Sequence, residues 1–505
     1  MQKRCKTVLV VTMMVCSLVL GNLTMPSLEA AGAPSLKTKK LTIQKGKSKT
    51  IKIKGKRIKS KKFKSSKKKI ATVTKKGKVK GKKVGSCKIK ITVKYRKKKK
   101  AKKLSTKKLT CKIKVVNKTP VQTRQPNLKL SAAFTEQVMN TSINLMKEST
   151  AADIKAGKNV FVSPESILTA MAMAVNGAKG DTQTEMQKAL YGTLSVDDFN
   201  NNMSVYNDFL VLTKDVKFNL ANSIWIKDKK DQITANQNFI AQNEKLYHSQ
   251  SYFEPFSKAT VKKMNDWVNS KTNGMIPNII QDIPANARMY LMNALSFEGR
   301  WNSQYRDSQV GQGNFTTAAG QNQNVTMLSS MEHKYLHDDN AIGVMKDYEG
   351  SEFAFVAILP NKEISVQKYV SEMTGESFLN LIRTAESKQV KTKIPEFSYD
   401  YDVKLKDSLK TMGIQKAFSS SAADFGNMGT TKEGILYIDE VLHKTHIELD
   451  RNGTKAAAVT KIIAAGSAAP TEPPKEVCLD RPFLFAIVEQ SIGLPIFMGV
   501  VNAVK

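Results

Sequence analysis

From Leu36 to Lys118 the sequence has no Asp and no Glu, against 38 Lys and Arg. A block so free of acid cannot neutralise its surface with its own ion pairs. It is a polycation, either solvated or matched to anions from elsewhere. Its only aromatic residues are Phe63 and Tyr95, so it lacks the stacking platforms of base-reading nucleic-acid modules. The whole chain has five His and five Cys in 505 residues. It has no H-E-x-x-H, no G-x-S-x-G elbow, no Walker loop and no dinucleotide fingerprint, and no cysteine spacing suits zinc. Ser, His and Asp occur, but in no local setting that points to a triad. The reading is a protein that is not an enzyme and uses neither cofactor nor metal. Long apolar runs are missing as well: Val8 to Leu20 falls short of the roughly 20 residues that span a membrane.

What is present divides the chain. Lys3, Arg4 and Lys6 precede that apolar run and Ala30, Ala31 and Ala33 follow it, the pattern of a secretory signal peptide over residues 1–33. The remainder is expected to be secreted, soluble or associated with a cell surface, and monomeric. Residues 119–126, TPVQTRQP, read as a linker. Beyond it the charge balance changes, since residues 127–505 carry 39 basic and 42 acidic side chains. With 41% hydrophobic residues overall, the chain can bury a sizeable core. Cys5 and Cys16 would leave with the signal, and Cys478 has no partner in its own domain. Cys87 and Cys111 fall on predicted neighbouring strands; whether they bridge stays open, because spacing does not place two sulfurs in reach.

Residues 36–118 alternate apolar residues with lysine, as in LTIQKGKSKTIKIKGK and GSCKIKITVKY, with Lys-Gly turns between. That is the pattern of short strands with one buried face. The run Ser65 to Val73 followed by Gly77-Lys78-Val79-Lys80-Gly81 resembles the bacterial Ig-like domains of surface and secreted proteins, which implies a small all-β sandwich. Its lysines would attract a polyanion such as teichoic acid, acidic polysaccharide, DNA or anionic lipid through a salt-sensitive force that does not read sequence. A merely solvated surface is the alternative.

The segment Gly453 to Ala469, GTKAAAVTKIIAAGSAA, is small and apolar between two strand-like passages, Ile435 to Leu449 and Phe483 to Val488. At period two, Thr454, Ala456, Ala458, Thr460, Ile462 and Ala464 share one uncharged face, while Lys455 and Lys461 lie on the other. On composition alone, an Ala-rich helix or a flexible linker also fits. The flanks shift the reading. Gly453-Thr454 with Ala456-Ala457-Ala458, His443 upstream, Arg481-Pro482-Phe483 downstream and the terminal Leu494-Pro495-Ile496-Phe497-Met498-Gly499 resemble the serpins. Further matches run through residues 127–505: Ser163-Pro164-Glu165-Ser166, Met292-Asn293 through Trp301, Ser270 to Gly274, Ile394-Pro395-Glu396-Phe397, Met412-Gly413-Ile414 and Ala423-Asp424-Phe425.

The resemblance implies an α+β serpin fold, with a large central mostly antiparallel sheet, helices and an exposed reactive loop, preceded by the Ig-like sandwich. It implies a secreted inhibitor that acts as a suicide substrate of serine proteases. Gly453, Thr454, Ala456, Ala457, Ala458 and Thr460 would be the hinge. Ser163, Ser166, Asn293 and His443 would form the shutter beneath the sheet, with Asn293 and His443 hydrogen-bonded to each other, and Trp301 would lie at the breach where the loop enters. Fourteen residues from Gly453, the reactive bond falls at Ser467-Ala468, with Ala464, Ala465, Gly466 and Ala469 as neighbouring candidates. Small residues there imply elastase-like or subtilisin-like targets. One departure is Arg451, where the family pattern commonly has an acidic residue; Asp450 is the expected substitute in the breach ion pair. Two other readings remain: a non-inhibitory serpin acting as a binding protein, and a surface adhesin whose basic domain is its working part.

Overall fold

The computed structural model describes residues 33–36, 40–44, 48–83, 85–96, 103–116, 128–227, 233–285, 287–432, 434–454 and 473–504. Residues 1–32 and 119–126, on which the signal and linker readings fall, lie outside the described residues. The chain divides into two units, residues 1–124 and 125–505.

In the first unit the lysine alternation folds as its period requires. Strands Lys40–Gln44, Ser105–Val116, Gly85–Tyr95 and Ile58–Ser65 form one sheet in that order, and Ser48–Thr50, Lys78–Gly81 and Ala71–Val73 form another. Cys87, Ile89, Ile91 and Val93 are buried on one face of their strand, while Lys88, Lys90 and Lys94 are exposed on the other. Ile43, Ala71, Val79, Ile113 and Val115 complete this core. The two cysteines do not bridge: neither forms a disulfide, with Cys87 opposite Ile113 and Cys111 opposite Ile89. They are diagonal neighbours, about 7–8 Å apart between Cα atoms and beyond disulfide reach. Burial pushes both thiol pKa values up.

The second unit is built on two sheets. Among the described residues, a nine-stranded sheet has at its middle Phe353–Pro360, Phe483–Glu489 and Pro495–Val501, every residue of which is buried. Near-continuous apolar runs are what strands covered on both faces require. Phe161 stacks on Phe485 and Phe497 at 5.6 and 5.2 Å, tying the neighbouring strand Val160–Val162 to this core. At the sheet edge, Lys475–Cys478 runs parallel to Glu386–Pro395.

The other sheet has six strands in the order Gln250–Glu254, Lys217–Lys227, Met289–Arg300, Gly453–Thr454, Leu442–Asp450 and Phe397–Lys404. Gly453–Thr454 is antiparallel to both of its neighbours. Met289–Arg300 and Leu442–Asp450 therefore run parallel to each other, and among the described residues they share no ladder. The strand expected from Ile435 begins only at Leu442. Before it, Ile438 donates its N–H to Ala417 O and Val441 O accepts from Leu405 N–H, so this stretch is bonded to helix-end segments rather than to a strand.

Helix Pro164–Gly177 packs against both sheets, touching Met289–Arg300 and Pro495–Val501. Its start is capped: the Ser163 hydroxyl accepts from Ser166 N–H, and Pro164 occupies the first turn. Leu168, Ala172, Met173 and Val175 are wholly buried, and so are the polar Glu165 and Thr169, which makes this a core helix buried on every side.

Candidate functional site

The segment that stood out in the sequence is anchored at both ends in different sheets. On its N-terminal side Gly453 and Thr454 pair with Arg300 and Gly299 on one flank, and with Asp450 and Leu449 on the other. On its C-terminal side Lys475–Cys478 belongs to the nine-stranded sheet. Residues 455–472 lie outside the described residues, and with them Ala456, Ala457, Ala458, Thr460 and the reactive-bond candidates Ala464, Ala465, Gly466, Ser467, Ala468 and Ala469.

The N-terminal anchor rests on close backbone contact. Gly453 has φ +155°, and a Cβ built there would lie 2.0 Å from Gly299 O, so only glycine fits. The turn before it is held by Asp450, whose carboxylate accepts from Asn452 N–H at 2.7 Å and Gly453 N–H at 3.0 Å. Asp450 therefore closes its own turn and does not supply the breach ion pair expected of it. Arg451 pairs with Asp307 at 2.6 Å, and its N–H donates to Glu396 Oε1 at 3.1 Å. The pair is solvent-facing and contributes at most about 1 kcal/mol.

Trp301 braces this turn from the neighbouring strand end. Its indole N–H donates to Asp450 O at 2.9 Å, its backbone N–H donates to Asn452 O, and its ring stacks on Tyr348 at 4.8 Å. The Tyr348 hydroxyl meets the Thr454 hydroxyl at 2.6 Å in a buried contact. Thr454 thus faces inward, above a small cavity walled by Phe161, Leu295, Phe297, Ile487 and Phe497. Lys346 lies below, 1% exposed, paired with Glu332 at 2.6 Å and 4.5 Å from the Tyr305 ring centroid. Tyr348, Lys346 and Glu332 were not singled out from the sequence; a lysine in AIGVMKD reads as surface, and only the fold buries it.

Further down, the same two strands are held by one helix start. Ser166 donates to Asn293 Oδ1 on Met289–Arg300, and Ser163 N–H donates to His443 Nε2 at 2.9 Å on Leu442–Asp450. Asn293 and His443 do not bond to each other, contrary to expectation, because the two serines stand between them. The Ser163 hydroxyl also donates to Ile496 O at 2.8 Å, fixing the helix to the other sheet. Asn293 Nδ2 donates to Asn222 Oδ1, and the amide chain continues through the Tyr247 carbonyl behind the sheet. His443 is buried, and burial pushes its pKa down to about 4. It is neutral, with Nε2 the acceptor and the proton on Nδ1.

Glu165, between the two serines, was passed over in the sequence. It is 2% exposed; Thr169 donates to its Oε1 at 2.9 Å, and Oε2 has no partner among the described residues. Burial pushes its pKa up to about 7 against that hydrogen bond.

This arrangement can admit a further strand between two parallel ones, from a hinge that already points into the sheet. The family model described as serpin (serine protease inhibitor) matches residues 136–504, and that of the bacterial Ig-like domain (group 2) matches residues 33–104. Iripin-8 of Ixodes ricinus is 28% identical over 374 residues, covering 72% of this chain and 91% of its own. A serpin-like protein of Thermococcus kodakarensis is 29% identical over 350 residues, covering 68% and 80%. The crystal structure of the thermophilic serpin Tengpin in its native state gives a TM-score of 0.70 at 37% identity, covering 74% of this chain and 95% of that one.

Proposed function

The chain belongs to the serpin family, whose members are generally protease inhibitors rather than enzymes, and from that premise we propose that it is an exported suicide-substrate inhibitor of elastase-like or subtilisin-like serine proteases. The observation that carries this reading is the pairing of Gly453–Thr454 between two parallel strands that share no ladder of their own.

The steps follow from that geometry. The protease serine attacks the carbonyl of Ser467, the peptide bond to Ala468 breaks, and the new amino terminus at Ala468 leaves, with Ser467 esterified to the enzyme. Freed from its C-terminal anchor, the segment continues the strand begun at Gly453. Thr454 faces inward, so Ala456, Ala458 and Thr460 follow it at period two onto the apolar floor, where small side chains fit. Insertion of about 14 residues at 3.3 Å each carries the esterified protease roughly 45 Å along the sheet. Backbone pairing on both edges adds about 15 to 25 hydrogen bonds at about 1 kcal/mol each. A protease stable by only about 5 to 15 kcal/mol is distorted by such a pull, its oxyanion hole is lost and deacylation stalls.

Incubation with pancreatic elastase and with subtilisin is expected to give an SDS-resistant complex and a released fragment beginning at Ala468, read by mass spectrometry. Cleavage with no complex would overturn inhibition; a fragment beginning elsewhere in residues 464–469 would move only the bond. Gly453→Ala places a Cβ against Gly299 O and should slow insertion. The expected result is a several-fold rise in the inhibitor consumed per protease trapped; an unchanged ratio would show that the hinge tolerates the extra carbon. We further propose that the lysine-rich unit attaches the exported inhibitor to a polyanion such as a cell-wall polymer.

A further inference from the structure

We propose that the outer face of the four-stranded sheet in the lysine-rich unit binds a linear polyphosphodiester of the polyol-phosphate type, its phosphates seated between lysines of adjacent strands. This rests on the reading that the unit attaches to a polyanion, and names the polymer and the face.

The strand register places the charges. On the central strand Gly85–Tyr95 the outward positions are Ser86, Lys88, Lys90, Thr92 and Lys94, all exposed except the half-buried Thr92. Lys64 of one neighbour stands directly opposite Lys90, and Lys112 of the other stands directly opposite Lys88. Lys62 and Lys108 flank Thr92 on its two sides. These lysines are all exposed, and none has an ion-pair partner among the described residues. Like charges directly opposite on adjacent strands destabilise a sheet, and residues 36–118 contain no acid to relieve them. A bound anion between each pair would relieve the repulsion.

The chemistry of the face narrows the anion. Its exposed positions are lysine, threonine and serine, with Thr110 beside Lys90 and Thr106 and Ser60 beside Lys94. Phe63 and Tyr95 lie on the strands' other side, so there is nothing to stack on bases and nothing apolar to enter a bilayer. Lysine presents compact point charges of the kind that bind phosphate, and no arginine occupies these positions to offer the planar fork that pairs bidentately with carboxylate or phosphate. Alternate residues on a strand repeat at about 6.6–6.8 Å. A backbone with six bonds between phosphates, as in poly(glycerol phosphate), repeats its charge at a similar length when extended.

The test uses the full-length protein and poly(glycerol phosphate), with single-stranded DNA and polyglutamate of equal charge as comparators, by titration calorimetry over a salt series. The charge-neutral set Lys64→Gln, Lys88→Gln, Lys90→Gln and Lys112→Gln is expected to weaken poly(glycerol phosphate) binding about 100-fold and lower the salt slope by about 3, at roughly 0.7 per phosphate contact. A matched set on the other sheet and its turn, Lys49→Gln, Lys75→Gln, Lys76→Gln and Lys78→Gln, is expected to lose only a few-fold. Removing opposed charges should leave the melting temperature of the first unit unchanged or higher, so the loss is not unfolding. Equal losses from the two sets would overturn the face. Tighter binding of DNA or polyglutamate would overturn the polymer, and failure of all three polymers to bind would overturn polyanion attachment itself.

Discussion

Protein nicked by elastase and freed of protease is expected to melt about 20 °C or more above the intact protein, since 15 to 25 added backbone hydrogen bonds exceed the whole stability of a typical domain. The slot for those bonds lies between Met289–Arg300 and Leu442–Asp450, whose facing edges are joined, among the described residues, only through Gly453 and Thr454. Both strands run in the same direction. A strand between them that turns back from Asp450 is antiparallel to each, the better-bonded arrangement. The apolar cavity wall beneath Thr454 adds burial to the pairing. Differential scanning calorimetry of nicked and intact samples decides the point: coincident melting curves would mean that the severed segment does not enter the sheet.

The second large effect comes from the two titrating groups at the helix start. Glu165 has a folded-state pKa of about 7 against an ordinary 4.5, so the folded protein holds an extra proton between those values and stability falls as pH rises through them. His443, at about 4 against 6.5, acts in the opposite sense: the unfolded chain holds the extra proton, and stability falls as pH drops from 6.5 to 4. Each amounts to about 3 kcal/mol across its window, and where the windows overlap they cancel. Glu165→Gln is therefore expected to leave stability unchanged near pH 4 and raise it by about 3 kcal/mol at pH 8, unmasking the acid loss due to His443. His443→Gln, which keeps an acceptor for Ser163 N–H, should unmask the alkaline loss due to Glu165. Melting temperatures of the wild type and both variants from pH 4 to 8 measure this. Parallel profiles for the wild type and Glu165→Gln would show that this carboxyl is not held neutral.

Much of the architecture was legible because it follows from periodicity. Lysine alternation placed the buried face of the first unit, and Gly453-Thr454 stood out with its flanks as the start of the unusual segment. What escaped depended on distance across the fold. Asn293 and His443 were each read as facing inward, but their sequence positions could not reveal the helix start between them. Lys346 and Glu332 are 14 residues apart in the chain, and nothing local says that one is 1% exposed. Glu165 was hidden by its type, since a carboxylate beside a helix start ordinarily favours the dipole and solvent. The extended run before Leu442 has strand composition but bonds to helix ends, a tertiary outcome that overrides propensity.

On the inhibitor reading proposed above, the short strand Lys475–Cys478 would set the shelf life of the uncut molecule. It is four residues long, bonded along the edge of its sheet to Glu386–Pro395, with Val477 as its buried peg. While the chain is whole, filling the slot would mean stripping this strand from its neighbour, so on that reading a handful of ladder bonds would be the catch that keeps the uncut form from discharging by itself. A protease would bypass that catch with one cut. Weakening the peg should make the inhibitor go off on the shelf, and reinforcing it should lengthen storage without blunting the trap.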